Sequence, residues 1–296
     1  MMDVRALRYF LAVAKAGNFT AAAQALHVTQ PTLSKQIKEL EENLDKQLMI
    51  RGSRKVTLTE DGQVLKKRAS EIIDLIDRTT AELQNPDGVI AGSVYIGGGE
   101  SASMRLVTQV MKDLQNDHPD IQFHLYSGVA DDVKERIDKG LLDFGIVIGA
   151  VNMDDYDFRP LPDADSWGLL VPAESPLTNK TVIQASDLVD LPLICSHQAL
   201  ENNELAGWFG DDFSTLNVVA TYNLIYNASL MVEAGIGYAL CLDKLVDTYD
   251  SNNLCFIPLD PAMTSSLQII WKKQSNFSTA AKAFHQAFHN KLNQLG

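Results

Sequence analysis

Thr32, Ser34, Lys35 and Lys38 lie within one short stretch, and their chemistry suits a single task. Short hydroxyls can meet base edges and phosphates, and ammonium groups neutralise a phosphate backbone. What would present them together is a helix. Leu33, Ile37, Leu40 and Leu44 recur at spacings of four, three and four, a stripe that turns the polar residues outward. Thr29 stands where an N-cap belongs, and Pro31 lies in the first turn, where the backbone has no intrahelical donor to lose. Residues 20–27 read as a shorter helix behind Thr20 as its cap, with Val28-Thr29 as the turn between the two. Residues 4–16, with Leu7, Phe10, Leu11 and Ala14 on one face, supply a third helix and a small trihelical core. Residues 47–51 and 55–58 read as a hairpin around Gly52-Ser53-Arg54. Arg51 and Arg54 flank its tip, where arginine can enter a narrowed minor groove. Arg51 has a second reading, as a brace between the hairpin and the first helix.

Charge is distributed to match. The chain of 296 residues has a formal net charge of −13. Residues 1–70 nevertheless hold 12 Lys/Arg against 7 Asp/Glu, whereas residues 71–296 hold 13 against 31. A basic head on an acidic body directs one end towards a polyanion, and double-stranded DNA is the expected partner. No apolar stretch is long enough to span a membrane, and the N-terminus lacks the pattern of a secretory leader. The expectation is a cytoplasmic protein with no membrane partner. Three scattered cysteines without a C-x-x-C read as buried, reduced thiols, not as a redox pair.

Thr59 would cap a long helix running to about residue 84, stopped by Asn85-Pro86-Asp87-Gly88. Leu65, Ile72, Ile76 and Leu83 form a seam along it that needs a partner, taken as the same helix of a second copy. From residue 92 the pattern alternates. Strands are expected at 93–97, 121–126 and 144–148, with helices at 104–116 and 129–139. A second set comprises strands 167–171, 193–195, 218–221 and 238–242, with helices near 203–209 and at 224–234. The chain returns through strands 254–258 and 267–271 and ends in a helix at 278–295. Two α/β lobes with parallel strands, joined by crossovers near 161–167 and 263–267, make a hinged clamshell.

Other chemistries lack their residues. Gly97-Gly98-Gly99 has neither dinucleotide-fingerprint spacing nor a Walker lysine. The six histidines form no metal-ligand pattern, and no nucleophile arrangement is present. No catalytic residue, metal or cofactor is expected, and the chain does not read as an enzyme.

The run Leu7-Arg8-Tyr9-Phe10, Gly17-Asn18-Phe19-Thr20, Ala22-Ala23, Thr29-Gln30-Pro31, Ser34, Gln36-Ile37, Leu40-Glu41, Leu48, Arg51, Arg54, Leu58-Thr59 and Gly62 resembles the bacterial LysR-type transcriptional regulators. Weaker echoes follow at His118-Pro119, at 140–146 and at 233–237. Asp45 and Met49 depart from the family's usual Gly and Phe, which implies a slightly altered turn. The resemblance implies an N-terminal winged helix-turn-helix (1–58), a linker or dimerisation helix (59–88) and an effector-binding domain (92–296). That domain would hold two Rossmann-like α/β subdomains arranged as in periplasmic binding proteins. Lobe I would span about 92–163 and 266–296, and lobe II about 164–265. The implied DNA contacts are Gln30, Pro31, Thr32, Ser34, Lys35, Lys38, Arg51 and Arg54, on an interrupted palindrome. A small-molecule effector would sit between the lobes. Ser101 and Ser103 hold family positions, and Ser196, His197, Tyr222 and Asn223 lie at strand ends facing the cleft. The loop at 98–103 could receive a carboxylate on its amides and hydroxyls. Glu100 suits an anion poorly, which leaves an amine-bearing or neutral effector open. Self-association as a homodimer or homotetramer is implied. The rival reading is a solute-binding protein without a DNA role.

Overall fold

The computed structural model describes residues 2–52, 55–84, 89–149, 152–210, 216–248 and 253–295. Two compact units divide the chain, Met1–Asn85 and Pro86–Gly296.

The first unit opens with α1 (Val4–Ala16), capped by Asp3, whose Oδ1 accepts from Ala6 N at 2.7 Å. α2 (Phe19–Ala25) starts one residue earlier than expected. Its cap is Asn18, not Thr20, because the Asn18 amide oxygen reaches the N–H groups of Thr20 and Ala21 at 2.7 and 3.1 Å. α3 (Gln30–Leu44) follows Thr29, which accepts from Thr32 N. Leu33, Ile37 and Leu40 are buried together with Phe10, Val13 and Phe19. Truncating a ring such as Phe10 to alanine would cost about 3–5 kcal/mol. Leu44 departs from the expected stripe and is exposed. The helix ends there, and Asp45 turns the chain away in the left-handed region at φ 50°. β1 (Met49–Arg51) and β2 (Val56–Leu58) pair antiparallel as the hairpin. Met49 is buried in the core, and Val56 N donates to Gly17 O at 2.8 Å, which fastens the hairpin to the end of α1.

α4 (Glu60–Gln84) begins at Thr59, whose hydroxyl accepts from Gly62 N and donates to Gln47 O. Gly62 is required by space. A Cβ there would stand 2.1 Å from Leu48 O, so only glycine lets the helix approach the hairpin this closely. The expected single seam along α4 is split. Leu65, Ala69 and Ile73 pack against Leu7 and Leu11 of α1, while Val64, Ile72 and Leu83 are exposed. Arg8 and Asp77 pair through both guanidinium nitrogens and tie α1 to α4. The 85–88 stop lies outside the described residues.

The second unit is one nine-stranded sheet shared by two lobes. Lobe I contains β3 (Gly92–Gly98), α5 (Met104–Asp117), β4 (Ile121–Ser127), α6 (Ala130–Asp138) and β5 (Phe144–Ile148). β6 (Tyr156–Pro172) then runs into lobe II, which contains β7 (Leu193–Ser196), α7 (His197–Glu201), α8 (Ala206–Phe209), β8 (Val218–Tyr222), α9 (Ile225–Glu233), β9 (Tyr238–Leu242) and β10 (Leu254–Pro258). β11 (Thr264–Lys272) returns, and α10 (Thr279–Leu295) closes lobe I. Strand order is β4-β3-β5-β11-β6-β9-β7-β8, with β10 beside β6. β3, β4 and β5 run parallel, as do β7, β8 and β9.

Both crossovers are longer than expected. β6 and β11 pair antiparallel from Tyr156 opposite Lys272 to Ser166 opposite Thr264, with an irregularity between Ser266 and Gln268. The helix expected near 203–209 is the short α8, and an unexpected α7, capped by Ser196, precedes it before the chain reverses through Asn203 at φ 51°. Lobe I centres on Phe144, Phe284 and Ile96, and lobe II on Trp167, Leu169 and Leu240.

Candidate nucleic-acid interface and effector cleft

α3 exposes Gln30, Pro31, Thr32, Lys35 and Lys38, with Ser34 half-buried. Lys35 and Lys38 pair with Glu39 and Glu42 at 3.7 and 3.3 Å, one turn along the helix. Both pairs are exposed, so they are worth a few tenths of a kcal/mol and give way readily to a phosphate. Arg51 does brace the hairpin, but against a different partner from the one expected. Its Nη1 donates to Ser34 Oγ at 2.9 Å, and its guanidinium lies 4.4 Å from the centroid of the Phe19 ring. It therefore joins the hairpin to α2 and α3, not to α1, and brings its charge beside the polar face of α3. Arg54 lies outside the described residues.

In the second unit a cavity of about 60 Å³ lies where the lobes meet. Ser196, Tyr222 and Asn223 border it, as do Glu100, Gln198, Glu204 and Trp167. Ser196 Oγ accepts from Ala199 N at 3.4 Å as the cap of α7. The Tyr222 hydroxyl donates to Leu240 O at 2.8 Å, and burial pushes its pKa well above the ordinary tyrosine value. Asn223 Oδ1 accepts from Leu224 N. His197 is turned elsewhere. Its ring is exposed, sits 3.2 Å from Glu201, and borders a neighbouring cavity of about 220 Å³.

Ser101 and Ser103 are buried and do not border the interlobe cavity. Ser101 Oγ accepts from Ser103 N at 3.0 Å. Asp165, on β6, is near enough to Ser101 and Ala102 for both to favour its charged form. The 98–103 loop thus already faces a carboxylate of the protein's own. Burial raises the Asp165 pKa, and this outweighs the hydrogen bonds from Ser101 and Ala102 and the attraction of Lys244.

The lobes also cap each other's helices. Glu100 Oε2 of lobe I accepts from Ile225 N at 2.5 Å, at the start of α9 in lobe II. Gln198 Oε1 of lobe II accepts from Ala130 N at 2.9 Å, at the start of α6 in lobe I. Neither helix has a side-chain cap from its own N-cap residue, so each depends on the opposite lobe for its first turn. Glu204 accepts from the Ser265 hydroxyl, and Ser265 Oγ in turn accepts from Trp167 Nε1 at 2.8 Å. Gln198, Glu204 and Trp167 were not singled out by sequence reasoning. Their partners lie 61 to 98 residues away in the chain, and no local pattern marks them.

Among the described residues there is no cluster able to hold a metal ion and no helix long and apolar enough to cross a membrane. Cys195, Cys241 and Cys255 are free thiols.

Residues 4–63 match the bacterial regulatory helix-turn-helix family of the LysR type, and residues 87–293 match the LysR substrate binding domain. The chain is 30% identical over 278 residues to the Hca operon transcriptional activator HcaR of Escherichia coli, covering 92% of each. It is 32% identical over 298 residues to the HTH-type regulator YwbI of Bacillus subtilis, covering 96% of this chain and 94% of that one. Full-length CbnR in complex with its target DNA shares the fold, with a TM-score of 0.76 at 18% identity, over 98% of this chain and all of that one. The helix-turn-helix match removes the reading of a solute-binding protein without a DNA role, and the family consists of regulators, not enzymes. The chain belongs to the LysR family of DNA-binding transcriptional regulators, with a helix-turn-helix joined to an effector-binding domain.

Proposed function

We propose that this regulator acts in the cytoplasm as a homodimer or homotetramer, reads an interrupted palindrome, and answers to a small molecule held between its two lobes. The observation that carries the reading is the outward face of α3, where Gln30, Thr32, Lys35 and Lys38 stand clear beside the Arg51 guanidinium. Gln30 can bond an adenine edge bidentately, and Pro31 can meet a thymine methyl. Ser34, Lys35, Lys38, Arg51 and Arg54 would take phosphates or the minor groove. The exposed Val64, Ile72 and Leu83 of α4 are the apolar surface through which two copies would pair. Paired heads would grip half-sites about 34 Å apart. In the second unit, Ser196, Tyr222 and Asn223 would meet the effector directly. Ser101 and Ser103 would act from behind through Asp165, and His197 from the rim.

A mobility-shift titration with DNA upstream of the protein's own gene tests this. Binding should weaken steeply with salt, and Lys35→Ala and Lys38→Ala should each flatten the log–log salt slope by about 1. Arg51→Ala should also weaken binding and flatten the slope. A wild-type chain with no sequence preference at moderate salt defeats the proposal, and variants that bind as tightly as wild type defeat the residue assignments.

A further inference from the structure

We infer that the interlobe cleft selects a cationic effector, a small molecule with a primary ammonium group, and that Glu100 and Glu204 are the groups that bind it. This rests on the effector-binding reading above and names the ligand class for that site.

The first ground is the sign of the lining. Among the described residues, the only charged side chains that border the cavity are Glu100 and Glu204. An incoming carboxylate would meet two like charges, whereas an ammonium would meet two opposite ones.

The second ground is that the groups able to receive an anion are already taken from within. The start of α9 holds Glu100, and the 98–103 loop faces the carboxyl of Asp165. The start of α6 holds the neutral oxygen of Gln198. A carboxylate effector would have to compete with a tethered carboxylate at the first two places and with an amide oxygen at the third.

The third ground is a set of unpaired carboxylate oxygens. Glu100 Oε2 is engaged with Ile225, and Glu204 Oε1 with Ser265. The second oxygen of each has no partner among the described residues. Asp165 Oδ2 is likewise unpartnered and buried, as is Ser103 Oγ. Asp165 is 5% exposed and lies two residues from Trp167 on β6, so both point to the same side of the strand, the side where Trp167 borders the cavity. Asp165 also stands opposite Ser265 in the ladder, and Ser265 carries the bonds to Trp167 and Glu204. Two of the lining's donors are engaged, with Trp167 Nε1 on Ser265 and the Tyr222 hydroxyl on Leu240 O. An ammonium group supplies three donors and no acceptor, which is the complement of this surplus. The side-chain amides of Gln198 and Asn223 and the Ser196 hydroxyl remain for a neutral acceptor elsewhere on the ligand.

The test is a thermal-shift and calorimetric comparison on the full-length protein. The probes are primary amines (ethanolamine, putrescine, phenethylamine and agmatine) and size-matched carboxylates (glycolate, succinate and phenylacetate), all at millimolar concentration. At least one amine should raise the melting midpoint, and the carboxylates should not. Glu100→Gln and Glu204→Gln should each weaken amine binding about tenfold or more, because each loses a charge-assisted bond. Retained operator binding and an unchanged circular dichroism spectrum would show each variant folded. If Glu204→Gln proves unfolded, Glu100→Gln decides alone. Stabilisation by carboxylates and not by amines overturns the cationic class while leaving the cleft as the effector site. Amine binding indifferent to both substitutions overturns the inference and the cleft assignment together. Absence of any amine response overturns the inference.

Discussion

Replacing Asp45 with glycine should stabilise the DNA-binding unit, and the size of the gain follows from two separable effects. Asp45 sits at φ 50°, ψ 40°, where its N–H closes the end of α3 onto Glu41 O and Glu42 O. A non-glycine residue in this region carries steric strain of about 1 kcal/mol or slightly more, although aspartate tolerates it better than most. Glycine removes the strain but adds freedom to the unfolded chain, which returns roughly 0.5–1 kcal/mol of the gain. The second effect is electrostatic. An exposed carboxylate at the C-terminal end of a helix faces the negative end of the helix dipole, an opposition of about 0.3–1 kcal/mol. Asp45→Gly should therefore gain about 0.5–1 kcal/mol in total. Asp45→Asn keeps the tolerated backbone and removes only the charge, so its gain should be about 0.3–1 kcal/mol and should fade in molar salt. Hydrogen exchange of the α3 amides in the intact protein reads this locally, and a gain near the middle of the range slows exchange about threefold. Faster exchange in Asp45→Gly would refute the strain argument. An Asp45→Asn effect that ignores salt would refute the dipole argument.

Gly62→Ala should destabilise the same unit by at least about 2 kcal/mol, because a Cβ placed 2.1 Å from Leu48 O must push α4 off the hairpin. Denaturant melts and exchange of the β1 amides measure it, and wild-type stability would show that the approach is not tight. Burial pushes the thiols of Cys195 and Cys241 up to about 12. Their thiolate fraction at pH 8 is about 10⁻⁴, against roughly a quarter for a free cysteine. Iodoacetamide should therefore label only the half-buried Cys255 in the native protein and all three in urea; rapid native labelling of Cys195 counts against this. Burial raises the Asp165 pKa, so the native state holds that proton more tightly than the unfolded chain does. Its stabilising share is fully present below the unfolded value of about 3.9 and is lost as pH rises through the raised native value. Relative to wild type, Asp165→Asn should gain melting temperature as pH rises from 4 to 7, and a relative fall of the variant over that range would contradict the assignment.

Strands whose own residues are largely apolar are visible from local pattern. Phe144–Ile148, Tyr238–Leu242 and Leu254–Pro258 fall at the bounds expected of them. The first half of β6 was not visible, because Tyr156-Asp157-Phe158-Arg159-Pro160-Leu161-Pro162 is polar and carries two prolines. It is a strand through its pairing with β11, a partner over 100 residues away. Leu44 and Leu65 show the limit of periodicity from another side. Spacing identifies which residues share a face but not where a helix stops, nor which neighbour a face meets. The polar face of α3 was readable because it is local, with each member within one turn or two of the next. The cleft was readable only where a strand ends, as at Ser196, Tyr222 and Asn223. The carboxylates that set its sign come from separate loops, and only folding brings Glu100 to α9 or Glu204 to Ser265.

The shared ladder of β6 and β11 governs how the second unit can move. Lobes joined by loose tethers could swing apart, but here a twisted ribbon of paired peptides passes through both. Deformation must therefore take the form of torsion about the ribbon's long axis, with its compliance concentrated at the register slip between Ser266 and Gln268. A bound molecule would be felt as a change of pitch, a few degrees wound in or let out, and the peptide hydrogen bonds would act as the spring that returns it.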